Sequence, residues 1–145
     1  MIANEPYFEE VTVGEEIQSL VKPPITTRQL MKYGAFSGDF YELHYDQAFA
    51  RSTGLDGIIA HGLLKFGFLG QLVGDFVGTK GTIKKVGCSY RGMDLPGDVI
   101  TCRGKVKNKY VKDGENIVEL EIWAENQKGQ IGTPGTATVS LPSRQ

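Results

Sequence analysis

Beyond Gly78 the chain alternates apolar and polar residues with a period of two, and the segments 82–91, 98–111, 115–126 and 130–141 read as β-strands. The third is the clearest. Val118, Leu120, Ile122 and Ala124 fall on one face, and Glu119, Glu121 and Glu125 on the other. Pro96-Gly97, Asp113-Gly114 and Lys128-Gly129 supply turns between the segments. Ahead of Gly78 the period is helical. Over residues 60–76, Leu63, Leu64, Phe66, Phe68, Leu69, Leu72, Val73 and Phe76 surround most of a helix circumference, which predicts a buried helix. Glycines at 62, 67, 70 and 74 weaken it by propensity and make sense if a sheet or a ligand lies against the backbone. Two shorter helices precede it. Thr26 is placed to cap the first, with Gln29 at capping-box spacing and an end near Ser37-Gly38. Asp46 is placed to cap the second, which Gly54 closes. Residues 1–25 read as an extended arm with a first strand, stopped by Pro23-Pro24. Helices in the first half and strands in the second predict an α+β fold, an antiparallel sheet with a helix packed on one face.

Composition narrows the function classes. A chain of 145 residues is expected to form one domain, 1–145, and a chain of that size buries roughly 70% of its unfolded surface without staples. The net charge is −1 and no basic stripe appears, so nucleic acid is not the expected partner. The opening residues are acidic and lack the apolar run of a secretory signal. The longest apolar stretch, 58–77, is interrupted by Lys65, Gln71 and Asp75 and is a poor membrane span. A cytoplasmic location is expected, with Cys88 and Cys102 as free thiols in strands. The tail from Pro142 to Gln145 is expected to fray.

Both histidines lie in one stretch, FSGDFYELHYDQAFARSTGLDGIIAHGLL, with His44 five residues after Asp39 and His61 opening the apolar run. Imidazole titrates near neutral pH and a carboxylate can orient it, so Asp39 and His44 suggest general acid–base chemistry. His44, Asp46 and His61 also mimic an iron-binding triad. Such triads sit on many-stranded scaffolds. Asp46 is better explained as a helix cap, so neither metal nor cofactor is expected.

SGDFYELHYDQAFA, then GIIAHGLL, LPGD and TPGTATVSLP together resemble the MaoC-like, (R)-specific enoyl-CoA hydratase family of the hot-dog superfamily. The resemblance runs from about Phe8 to Pro142 and extends to the dehydratase subunits of bacterial type II fatty-acid synthesis. It implies a hot-dog fold, in which a curved antiparallel sheet wraps a long central helix. It implies reversible syn hydration of a trans-2-enoyl thioester to the (R)-3-hydroxyacyl thioester, carried by CoA or acyl-carrier protein. The family's catalytic carboxylate and imidazole fall on Asp39 and His44, and its oxyanion-binding amide falls on Gly62. Tyr41, His61 and Gly70 are the residues expected at the substrate, with His61 expected to support loop geometry more than chemistry. Two departures stand out. Tyr41-Glu42 replaces the frequent Asn-Pro, and Gly70 stands where some members carry Ser or Thr, which implies either a wider acyl pocket or a lost polar contact. A homodimer is the implied assembly, with a heteromer of related hot-dog subunits as the alternative. A non-catalytic acyl-binding subunit and an acyl-CoA thioesterase are the competing functions. Asp75, the only carboxylate within the central helix, lies at the wrong end for the latter. Lys84, Lys85, Arg91 and Lys105 are candidate phosphate contacts.

Overall fold

The computed structural model describes residues 1–144. Its elements are β1 (Leu20–Val21), α1 (Thr27–Ser37), α2 (Gln47–Ser52), α3 (Gly62–Val77), β2 (Thr82–Cys88), β3 (Thr101–Lys112), β4 (Glu115–Glu125) and β5 (Ile131–Ser140). Single 3₁₀ turns lie at Phe8–Glu10 and Glu42–His44. The strands form one antiparallel five-stranded sheet in the order β1-β3-β4-β5-β2. This is the α+β arrangement that the alternating pattern predicts.

The caps act where the side chains allow them to. Thr26 Oγ1 accepts the Gln29 N–H at 3.1 Å, and Asp46 Oδ1 accepts the Phe49 N–H at 2.9 Å. Each satisfies one of the orphan donors of a first helical turn. The β3–β4 hairpin turns at Asp113 and Gly114, with φ of 52° and 78°, the left-handed pair of a type I′ turn. Register shifts between Ile83 and Lys85, Val106 and Asn108, and Ala124 and Glu125 bend the sheet.

The bent sheet wraps α3, which touches β2, β3, β4 and β5. From the helix, Phe68, Leu69, Leu72, Val73 and Phe76 are buried. From the sheet, Val106, Val118, Leu120, Ile122, Ala124, Ala137 and Val139 meet them in one core. β4 buries the residues that its alternation selects.

Several expectations change. The α3 helix begins at Gly62, two residues later than its periodicity suggests, and the chain just ahead of it is tied to the Asp94 carbonyl by the Ala60 N–H at 2.8 Å. Nor is α3 buried all round. Leu63 is 56% exposed, and Gly67, Gly70 and Gly74 face open space along an uncovered strip. The strand expected over 82–91 ends at Cys88, although residues 89–92 still bond to Pro134 and Gly132 as an irregular strap. The tail does not fray through residue 144. Phe8 N–H donates to the Pro142 carbonyl at 2.9 Å, and Arg144 pairs with Glu10. Gln145 lies outside the described residues. Among those described, no helix is long and apolar enough to cross a membrane.

The core packing has a measurable consequence. Leu120→Ala empties a site that is almost wholly buried. It should lower the unfolding free energy by about 2–5 kcal/mol. The readout is a reduced urea midpoint with an unchanged slope. Glu121→Ala, on the exposed face, should change stability by about 0.5 kcal/mol or less.

Candidate active site

The site is assembled where α1 ends. Gly38 takes a left-handed φ of 74°, which closes the helix and turns the chain into the Asp39 loop. Ser37 Oγ accepts the Asp39 N–H, and Asp39 Oδ1 accepts the Tyr41 N–H, both at 3.3 Å. The 3₁₀ turn that follows ends on His44. The segment before α3 then lies against this turn. Ile59 N–H donates to the Leu43 carbonyl at 3.0 Å, and the Ile58 N–H donates to Gln47 Oε1 at 2.7 Å.

These contacts set both imidazoles. His44 Nδ1 lies 2.8 Å from the Ile59 carbonyl. A carbonyl only accepts, so Nδ1 carries a proton, and in the neutral ring Nε2 keeps its lone pair. That bare Nε2 faces Asp39 Oδ2 across 3.8 Å. His61 Nε2 donates to the Asp39 backbone carbonyl at 3.2 Å, which leaves Nδ1 as its unprotonated nitrogen, with no partner among the described residues. The two rings stack at 3.8 Å with 22° between planes, and Tyr33 meets His61 edge-on at 4.8 Å. Gly34 permits this approach. A Cβ there would stand 3.1 Å from the Asp39 carbonyl oxygen and 3.7 Å from His61 Nε2. Burial, and next the neighbouring His44, push the His61 pKa below its ordinary 6.5, against the opposing pull of the Asp39 carbonyl and carboxylate. His61 is therefore neutral at pH 7.

Two spaces meet at His44. A gap of about 10 Å³, roughly one water's worth, is bounded by Leu30, Gly34, Asp39, Phe40, His44 and His61. A cavity of about 230 Å³ opens on the other side, between the start of α3 and residues 90–93, with His44, Gly62, Tyr90 and Arg91 in its wall. The first intrahelical bond of α3 runs from the Lys65 N–H to the His61 carbonyl at 3.4 Å. The N–H groups of Gly62, Leu63 and Leu64 thus have no acceptor within the helix. Tyr90 packs directly on Gly62, where a Cβ would stand 3.0 Å from the ring. His44 borders both spaces, with the Asp39 carboxylate on the small gap and the Gly62 amide on the larger cavity, and an imidazole, a carboxylate and free helix amides are groups that can activate a water and stabilise an oxyanion.

Asp39, His44, His61 and Gly62 are thus brought together. His61 is 1% exposed, its ring stacked on that of His44 at the wall of the small gap. Tyr41 is half exposed, with its ring edge-on to His44 at 6.3 Å and to Phe49 at 6.0 Å. Gly70 lies on the open strip of α3, about 12 Å along the axis from Gly62 by helical rise. Of the candidate phosphate contacts, Arg91 lines the cavity, whereas Lys84 pairs with Glu115. Asp46 Oδ1 is occupied by its cap, as expected. Asp39, His44 and His61 instead offer one ligand atom each within 4.8 Å. His61 Nε2, however, is already committed to the Asp39 carbonyl. Cys88 and Cys102 are free thiols, and burial pushes Cys102 up to about 12. Sequence reasoning missed Gly34, Tyr33, Tyr90 and the buried Lys65–Asp94 pair. The available signals were a glycine within an amphipathic helix and a lone charge within an apolar run.

The sequence profile described as MaoC like domain matches residues 9–127. The chain belongs to this family. It is 30% identical over 121 residues to the (R)-specific enoyl-CoA hydratase of Aeromonas caviae, covering 79% of this chain and 84% of that one. Among solved structures, the (R)-hydratase from A. caviae involved in PHA biosynthesis superposes with a TM-score of 0.79 at 27% identity, covering 91% of this chain and 98% of that one. R-hydratase PhaJ1 from Pseudomonas aeruginosa, unliganded, gives 0.84 at 25% identity, with coverage of 97% and 88%. The sheet wrapped on α3 is the hot-dog fold of this MaoC-like family.

The lowered His61 pKa carries a stability signature. The unfolded chain binds the His61 proton more readily than the native protein, so protonation favours unfolding. The stabilisation is complete above pH 6.5 and declines as the pH falls from there through the lowered native value. The urea midpoint should fall as the pH is lowered below 6.5. His61→Phe, which keeps a ring but cannot titrate, should flatten that fall. An unchanged slope in His61→Phe would contradict the assignment.

Proposed function

We propose that this MaoC-like protein is a hydro-lyase that hydrates trans-2-enoyl thioesters to (R)-3-hydroxyacyl thioesters, and runs the reverse dehydration, on CoA or acyl-carrier protein. One observation carries the reading. The bare Nε2 of His44 faces the Asp39 carboxylate across 3.8 Å, beside the free amides at the start of α3. That separation suits one water in contact with both groups. The names of the A. caviae and P. aeruginosa relatives support the same chemistry.

In the proposed reaction, the thioester oxygen accepts the Gly62 N–H. The water oxygen bonds to C3 as His44 Nε2 takes a water proton. Electrons from the C2–C3 double bond move toward the thioester, and the enolate oxygen is held by the Gly62 amide, a donor of the kind worth about 3–4 kcal/mol in a transition state. The proton, shared between His44 and Asp39, is delivered to C2. One water is consumed and both side chains return to their starting states. Tyr41 and the open strip at Gly70 accompany the acyl thioester, and His61 holds the loop.

Crotonyl-CoA is the direct test. The purified chain should remove the enoyl-thioester absorbance and give the (R)-alcohol. Asp39→Asn and His44→Ala should each lower kcat by about 10²–10⁴-fold. The double variant should be little worse than either single one, because the pair acts as a unit. Near-parental activity in folded His44→Ala would remove the assignment. Release of free CoA without hydration would favour thioesterase chemistry.

The proposed assembly is a homodimer joined along the outer edge of β2, the terminal strand of the sheet. An unpaired edge offers its backbone donors and acceptors to a second copy. Sedimentation should give a dimer at micromolar concentration. A monomer alone would contradict the proposal, and activity that appears only with a related subunit would point to the heteromer.

A further inference from the structure

We propose that Lys65 and Asp94 are a positioning pair, clamping the strap 90–94 onto the first turn of α3 and setting the wall opposite the Gly62 amide. The pair lies outside the Asp39–His44 machinery and is built into the fold. Lys65 is 2% exposed and Asp94 4%. Lys65 Nζ donates to Asp94 Oδ2 at 2.7 Å and to the Gly92 carbonyl at 2.9 Å. Asp94 returns the connection through its backbone, where its carbonyl accepts the Ala60 N–H at 2.8 Å. One cation therefore holds two points of the strap, and the strap holds the residue just before the helix.

The opposite side of the strap is equally constrained. Arg91 and Gly92 N–H groups both donate to the Gly132 carbonyl of β5, at 2.9 and 3.0 Å. A Cβ on Gly92 would stand 2.8 Å from the Gly132 Cα, so the two backbones touch. The strap is thus held between β5 and α3, hydrogen-bonded to one and ion-paired to the other. Lys65 stands three residues after Gly62, on the same helix face. Fixing the strap from Lys65 consequently fixes Tyr90 against Gly62, where an added Cβ would stand 3.0 Å from the ring.

Stability alone does not call for charges here. A buried ion pair gives up the hydration of both ions, and apolar residues of similar volume often stabilise a fold as well or better. Two short bonds from one Nζ to two oxygens have a direction and a length that an apolar contact lacks. They hold the strap in one register along α3. The effect on turnover rests on the proposed hydratase chemistry, whereas the clamp itself does not.

The experiment separates the two. Lys65→Met with Asp94→Leu removes both charges and leaves no buried ion unpaired. Amide hydrogen exchange, thermal unfolding and crotonyl-CoA kinetics are measured on this variant and on the parent. The expected result is a melting midpoint within about 5 °C of the parent. Exchange at Ala60, Arg91 and Gly92 should be faster by about tenfold or more. The kcat should fall by about tenfold or more, with KM changed less than about threefold, as a misplaced wall predicts. Parental exchange rates in the folded double variant would overturn the clamp. Faster exchange with an unchanged kcat in an active parent would overturn its positioning role. An inactive parent with faster exchange in the variant would confirm the clamp while removing the hydratase reading. If the double variant does not fold, Lys65→Met alone, which removes both Nζ bonds, is judged by the same readouts.

Discussion

The stack of His44 on His61 is the constraint on which the site depends. Each ring is tied by one nitrogen to a backbone carbonyl, His44 to Ile59 and His61 to Asp39, and the two are held face to face at 3.8 Å. The carbonyls impose opposite tautomers. His44 presents an unprotonated Nε2 to the carboxylate, and His61 keeps its unprotonated Nδ1 inside. Two stacked imidazoles repel if both are charged, and burial holds His61 neutral. A loop of this length would otherwise sample many conformations. The crosslink from His61 to the Asp39 carbonyl joins the end of α1 to the start of α3, so the dyad moves as one piece with the two helices.

The fold supplies the rest of the site by the same kind of tie. The α3 helix is gripped by the sheet through Leu69, Leu72, Val73 and Phe76, which fixes its axis. Its N-terminus is fixed separately, by the Ala60–Asp94 backbone bond and the Lys65 ion pair. Free amides are useful for an oxyanion only when they are held before the charge develops. The structure places them next to His44 and leaves a cavity between.

Much of this was legible in the sequence, for physical reasons that differ by element. The β4 strand was readable because one face is buried and the other solvated, so alternation maps directly onto burial. The β3–β4 turn was readable because Asp113-Gly114 tolerates the left-handed conformation a tight hairpin requires. Asp39 and His44 stood out because their spacing belongs to a motif that nearly the whole chain supports. What was not readable depends on contacts remote in sequence. The chain ahead of α3 is tied to Asp94 through Ala60, and periodicity has no access to that contact. Lys65 looked like an interruption of an apolar run, and only its partner explains why a charge lies inside. The uncovered strip of Leu63, Gly67, Gly70 and Gly74 was hidden by residues that look uniformly apolar or small. His61 could be placed near the dyad but not behind it, because its position depends on Gly34, in a different helix.

The tautomers of the two histidines are the most direct measure of this account. Nitrogen-15 NMR of the imidazoles in the free protein, above pH 7.5 or so where ordinary histidines are neutral, reports which nitrogen of each ring holds the proton. The predicted result is a proton on Nδ1 of His44 and on Nε2 of His61, in the same sample. A proton on Nε2 of His44 would leave no lone pair facing Asp39 and would contradict the assembly of the site described above.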